Sequence, residues 1–384
     1  MSVQSVQALI STQSTQSTQS TQSTQGGGGG GGGLSPLLAS ALAASHDGIV
    51  GTETLDTTAI AQRLEAFKSL EASEAERLQD PSALPRMPDA TYATQAVTSG
   101  LLQTVRVITT KTKATVHARI TSAEGSVADS FGDTPMSVLI RPALAQFPDQ
   151  LNYVRSYADL RDERMPEILV QLGDVVSFFA AIDQLDGSRT PNTLKLLHAA
   201  VGFSGAITQQ IKLAFDAPRP AEFSPRIQPI IKTPSHGSLP SGHATESYLM
   251  ASILTLLRGG RPKSAVGHME HRFRLAARVA SNRTVAGVHY PVDSAAGAVL
   301  GLSLAEHLAA VAGHSSDIGQ WRFDGTAWAN ADFHQGTMAD MIGNAVDSGG
   351  AAIMRRDEAE TRATDDLWAR MWHKAVAELV QDNG

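Results

Sequence analysis

The spacing of apolar positions changes character near residue 155. Beyond it Met165, Ile168, Leu169, Leu172, Val175, Val176 and Phe179 recur every three or four residues, which predicts one amphipathic helix. Ser188, Thr190, Pro191 and Asn192 supply a start for the next helix, apolar from Leu194 to Phe215 and stopped by Pro218 and Pro220. Three more helices are predicted at about 245–258, 268–284 and 291–311, and a last one at 368–380. Before residue 155 the pattern is mixed. Residues 101–120 alternate and are rich in Thr and Val, predicting one or two strands, with another at 136–141 and a polar helix at 57–78. These strands are expected to lie outside the helical core.

The expected fold is therefore mostly α, a helix bundle with a small N-terminal region containing some β-strand. Residues 11–25 repeat Ser-Thr-Gln and residues 26–33 are all glycine. Such a segment has nothing to bury and predicts a disordered tail over 1–33. The remaining boundaries are drawn at 34–150 for the mixed region, 151–315 for the helical domain and 316–384 for a C-terminal extension with a terminal helix.

Composition narrows the chemistry. The 384 residues are 42% hydrophobic and 18% charged, with a net charge of −7 and no cysteine. Disulfides, thiolate metal sites and a cysteine nucleophile are excluded. A mildly acidic chain speaks against nucleic-acid binding, so an anionic ligand needs a local basic pocket. Residues 1–7 lack a basic start and an apolar run, and the apolar stretches at 168–182 and 295–313 are interrupted by polar residues. Neither a secretory signal nor a membrane-spanning helix is expected, and a soluble, cytoplasmic protein is.

Three short stretches carry the candidate chemistry. In Pro240-Ser241-Gly242-His243 a turn enters an apolar helix, where free N–H groups and the helix dipole favour an anion. Ser241 adds a hydroxyl, Gly242 allows close approach and His243 titrates near neutrality. In isolation, an ordinary serine N-cap followed by a structural histidine is the better explanation of the stretch, and the basic clusters on either side overturn it. Upstream, Lys212 sits among Ile211, Leu213, Ala214 and Phe215, and Arg219 follows on the loop. A lone buried cation is costly, and an anion would compensate it. Downstream, Arg283 ends a helix, Gly287 permits a turn, and His289 and Asp293 stand four apart. On one helix face that carboxylate would hold Nδ1 and leave Nε2 free, although such pairs also occur as plain surface pairs.

Taken in order, Lys-x6-Arg-Pro, Pro-Ser-Gly-His and Arg-x5-His-x3-Asp resemble the tripartite motif of the phosphatidic acid phosphatase type 2 and vanadium-dependent haloperoxidase superfamily. The resemblance covers about residues 155–310. It departs at Asn282, where many members place serine, with Ser281 one position early. The resemblance implies that Lys212, Arg219, Ser241, Gly242 and Arg283 bind phosphate. It further implies that His289 is the nucleophile, oriented by Asp293, and that His243 protonates the leaving alcohol and then activates water. The expected activity is hydrolysis of a small phosphomonoester or diphosphate through a phosphohistidine, with no cofactor. The alternative within the superfamily is a haloperoxidase with vanadate on His289, and outside it a non-catalytic anion-binding protein. His236 is a candidate for the pocket mouth, Arg226 and Lys232 for a basic entrance, and His268, Glu270 and His271 have metal-compatible spacing better read as an exposed helix start.

Overall fold

The computed structural model describes residues 65, 90–121, 127–314, 318–328, 330–343, 351–357 and 364–381. Helix α1 (Ala90–Leu102) leads into strands β1 (Val105–Thr109), β2 (Lys113–Thr121), β3 (Val127–Phe131) and β4 (Ser137–Ile140). Short turns and α2 (Leu151–Ser156) precede α3 (Arg161–Gln171) and α4 (Val176–Asp183). Then come α5 (Pro191–Phe215), α6 (Pro220–Phe223), α7 (Gly242–Leu257), α8 (Pro262–Gly267), α9 (His271–Val285) and α10 (Pro291–Val311). The described chain closes with β5 (Gly319–Asp324), α11 (Gln335–Gly343), β6 (Ile353–Asp357) and α12 (Asp366–Gln381).

The fold is mostly helical with a small sheet, as the apolar spacing predicts. Helix α10 is its axis: every residue from Pro291 to Val311 is buried. By length and composition this helix is apolar enough to cross a membrane, contrary to the sequence expectation, yet 94% of its most apolar window is buried inside the fold. Its faces are covered by α7, α9 and α5 and by strands β4 and β5. Helix α7 in turn packs against α5 and α9, so the stretches holding the three motifs meet at neighbouring helix ends.

Several expectations change. The helix predicted through 165–179 is two helices, the run ending at Gln171 and α4 being inclined by 98°. The Asp174 carboxylate accepts from the Ser177 N–H at 2.9 Å and so caps the second one. The strands do not stand alone. They run in the order β1-β2-β4-β5-β6, with β3 also paired to β2. All pairings are antiparallel except β4 with β5, which are parallel and match Ser137 to Trp321 through Ile140 to Asp324. The sheet thus joins segments on both sides of the helical core and packs on α10 and α5. The predicted tail at 1–33 and, apart from Glu65, the polar helix at 57–78 lie outside the described residues.

Candidate active site

Lys212 lies in the last turn of α5 and is 1% exposed. Its ammonium donates to the carbonyls of Gly237 (3.1 Å) and Ser238 (2.9 Å). Burial, reinforced by Arg219, drives its pKa well below the ordinary lysine value. Arg219 opens α6. Its guanidinium donates to the Val288 carbonyl at 2.8 Å and to His289 Nε2 at 3.3 Å. Arginine has no acceptor, so the contact assigns the lone pair of His289 to Nε2. The other ring nitrogen, Nδ1, donates to Asp293 Oδ2 at 3.0 Å. Burial, with Arg219 and Lys212 beside it, holds His289 well below the usual histidine value, so the ring is neutral.

His289 and Asp293 are not on one helix. Tyr290 precedes Pro291 and is extended (φ −90°, ψ 160°), as a residue before proline prefers, so α10 begins at Pro291. His289 hangs on the preceding turn, made tight by Gly287 at φ +82°. Asp293, in the first turn of α10, reaches back to it and also accepts the Tyr290 N–H at 3.0 Å. Burial raises the Asp293 carboxyl, opposed by the Tyr290 N–H and by Lys212 and Arg219.

The Pro-Ser-Gly-His stretch follows a cis Leu239–Pro240 bond and delivers α7. Ser241 is its N-cap, accepting from the Ala244 N–H at 3.5 Å, and its own N–H donates to the Asp293 carbonyl at 2.9 Å. His243 Nε2 lies 2.9 Å from the Gln171 carbonyl. A carbonyl only accepts, so Nε2 carries the hydrogen, and the Arg283 guanidinium 3.5 Å away is a charge neighbour. Burial and Arg283 press the His243 pKa down to about 3. Arg283 is fully buried and donates to Gln171 Oε1 at 2.7 Å, while its Nε has no hydrogen-bond partner. Burial lowers its pKa to about 10.

Lys212, Arg219, Gly242, His243 and His289 line one cavity of about 190 Å³, with Ser241, Arg283 and Asp293 directly behind them. All eight predicted residues therefore come together. His236 lines the same cavity and a neighbouring one of about 330 Å³; its carbonyl accepts from Arg219 Nε at 3.1 Å and its Nδ1 lies 3.2 Å from Arg219 Nη2. Arg226 and Lys232 line neither cavity. No group able to hold a metal occurs among the described residues, so the histidines near 270 form no such site.

Two residues escaped the sequence reading. Gln171, at the end of α3, holds His243 by its carbonyl and Arg283 by its side chain, and it also receives Asn282 Nδ2 at 3.1 Å. Asn282 thus serves the arginine beside it through Gln171, and the Ser281 hydroxyl turns to the Phe333 carbonyl instead. Glu246, one turn beyond Gly242, lines the cavity, and burial raises its pKa to about 7. Its signal was present, an acid three residues after His243 on the same helix.

The arrangement sets a neutral imidazole, with its Nε2 lone pair beside Arg219, among the basic side chains of Lys212, Arg219 and Arg283 at a helix N-terminus. Such a combination has the charge and the hydrogen-bond donors to suit an anion. No curated protein matches the chain. Residues 193–314, which hold all eight predicted residues, match the family model of the PAP2 superfamily, the family that the three motifs resemble.

Proposed function

We propose that the protein hydrolyses a small phosphomonoester or diphosphate through a phosphohistidine on His289. The superfamily includes both phosphatases and haloperoxidases. The observation that carries the hydrolase reading is the state of His289: Nδ1 donates to Asp293, and Nε2 presents its lone pair beside Arg219. Nε2 attacks phosphorus in line with the departing oxygen, and the Asp293 carboxylate stabilises the imidazolium that forms. Lys212, Arg219 and Arg283, with the first N–H groups of α7, take the equatorial oxygens, where charge spreads in the transition state. Proton transfer to the leaving group falls to a second group on the cavity wall, His243 in the family resemblance.

Binding also resolves the electrostatic tension of the cradle. Lys212, Arg219 and Arg283 are all pushed down chiefly by burial, and a dianion at their centre reverses that penalty. Phosphate release from a panel of phosphate esters tests the reading. Wild type is expected to turn over, a ³²P-labelled phosphoenzyme to be trapped whose linkage is acid-labile and alkali-stable, as a phosphohistidine requires, and His289→Ala to lose both. Vanadate, which resembles the five-coordinate transition state, should inhibit competitively. Bromide oxidation by the vanadate-loaded protein with peroxide, without phosphate release in its absence, would favour the haloperoxidase instead.

A further inference from the structure

A negative group on the wall of an anion pocket opposes the ligand unless the ligand brings a positive group to meet it. Glu246 is such a group. It lies half-buried on the cavity wall, one helical turn beyond Gly242 and three residues after His243 on α7. Helix side chains lean towards the N-terminus, and its Oε1 would lie 3.9 Å from a Cβ placed on Gly242. The carboxylate therefore borders the first turn of α7, where the cradle would hold phosphate. It accepts no hydrogen bond among the described residues. The nearby cations are committed elsewhere, Lys212 Nζ to the Gly237 and Ser238 carbonyls and Arg283 to Gln171 Oε1. Asp174, the other carboxylate on this wall, is occupied in capping α4.

We propose that Glu246 reads the charge of the leaving alcohol. It selects aminoalkyl phosphates, monoesters with an ammonium two or three carbons from the ester oxygen, over diphosphates and other substrates with a second anionic group. The proposal rests on the hydrolase reading above and narrows its substrate. In-line attack by His289 Nε2 sends the leaving alcohol away from that ring. His243 Nε2–H is held by the Gln171 carbonyl, which leaves Nδ1 to serve the leaving oxygen. Glu246 stands on the next turn of the same helix. An ammonium a few bonds beyond that oxygen meets the carboxylate in a charge-assisted hydrogen bond, whereas a second phosphate there meets its repulsion.

The rest of the cavity agrees with this use. Leu172, Val175, Val176, Val201 and Met250 give it an apolar side, which suits the carbon chain of an amino alcohol. Burial raises the Glu246 carboxyl to about 7 against the pull of Lys212 and Arg283, so at pH 8 it is mostly ionised in the empty pocket. A bound dianion alone pushes it back towards protonation. An ammonium beside it holds it ionised, so a zwitterionic substrate answers both the cradle and the acid.

The experiment measures, by calorimetry at pH 8, the binding of three phosphonates of similar length: 3-aminopropylphosphonate, butylphosphonate and 3-phosphonopropanoate. None has a leaving group, so reactivity plays no part. Wild type is expected to bind the aminopropyl compound about 10–10²-fold more tightly than butylphosphonate, and the carboxylate most weakly of the three. In Glu246→Gln the spread should collapse to a few-fold. Inorganic phosphate, relieved of a repulsive neighbour, should bind that variant at least as tightly as wild type, which shows its cradle to be intact. Glu246→Asp, which keeps the charge, should keep the order. Equal affinities in wild type, or an undiminished spread in Glu246→Gln, would overturn the assignment. Turnover is read separately with 2-aminoethyl phosphate. A wild type that keeps the phosphonate order yet neither releases phosphate nor traps a phosphoenzyme sinks the hydrolase reading and leaves Glu246 reading charge in a binding site. Phosphate release beside equal phosphonate affinities upholds the hydrolase and sinks the role of Glu246.

Discussion

One oxygen of Asp293 serves two donors, His289 Nδ1 and the Tyr290 N–H, each at 3.0 Å. The two roles separate by mutation. Asp293→Asn keeps an oxygen for both donors but removes the charge that stabilises the imidazolium. The rate of phosphoenzyme formation should fall about 10²–10⁴-fold, while thermal melting stays near wild type. Asp293→Ala removes the acceptor as well, leaves the Tyr290 N–H without its cap, and should cost a further ~0.5–2 kcal/mol of stability. Rapid-quench kinetics beside denaturant melts would separate the two, and a full-rate Asp293→Asn would remove the carboxylate from the chemistry. At this scale the sequence was most legible, because Lys212, Arg219, the Ser241 stretch, Arg283, His289 and Asp293 are recognised by type and spacing. What it concealed were partners by packing. Gln171 lies 72 residues from His243 in sequence, and nothing in its neighbourhood marks it as the acceptor for both His243 and Arg283. The helical pairing of His289 with Asp293 was right in contact and wrong in cause, since Pro291 forces Tyr290 to be extended and the acid bends back to a turn.

Helices α7 and α10 approach as closely as glycine permits. A Cβ on Gly297 would lie 2.5 Å from the Ser241 carbonyl oxygen and 2.9 Å from Ala244 Cβ, and one on Gly301 2.5 Å from the Thr245 carbonyl oxygen. Neither backbone neighbour can yield without moving α7 as a whole. Gly297→Ala and Gly301→Ala should each cost about 1–3 kcal/mol in denaturant unfolding. Gly297→Ala should also raise KM for phosphate esters, because it displaces the N-cap at Ser241, whereas Gly301→Ala acts a turn further on and should spare KM. Equal kinetics for the two variants would dissociate the helix contact from the anion site. Helix positions were readable because apolar residues recur at helical spacing, and α10 begins and ends where predicted. The break between α3 and α4 was not, because Leu172, Val175 and Val176 keep the rhythm across it while Gly173 and Asp174 turn the chain. Strand β5 carried a visible signal, since Gly319–Asp324 alternates buried and half-buried positions, but so short a run in a loop-rich stretch does not declare a strand until β4 and β6 flank it.

On the scale of the molecule, the helices that carry the site are finished by residues from outside the span 151–315. Arg141, just beyond β4, donates to the Phe215 carbonyl at 3.0 Å and closes the end of α5 that bears Lys212. Gln150 Oε1 accepts the Val292 N–H at 3.1 Å, next to Asp293. At the far end of α5, Glu378 of α12 accepts from the N–H groups of Asn192 (2.9 Å) and Thr193 (2.8 Å), and Trp368 Nε1 donates to the Leu308 carbonyl at 2.8 Å. The parallel pairing of β4 with β5 joins strands about 180 residues apart, which no local pattern announces. These bonds predict that two equivalent-looking caps differ in what they report. Glu378→Ala strips the cap from the start of α5, some 28 Å along the helix from Lys212 by its rise per residue. It should lower stability by about 1–3 kcal/mol and leave kcat/KM unchanged. Gln150→Ala removes one acceptor from the first turn of α10, within one residue of the group that orients His289. Its stability loss should be no larger, about 0.5–2 kcal/mol, yet phosphoenzyme formation should slow with it. Urea melts and single-turnover rates on the same samples decide the matter. Parallel behaviour of the two variants would mean that the sheet-side segment holds the fold without holding the site.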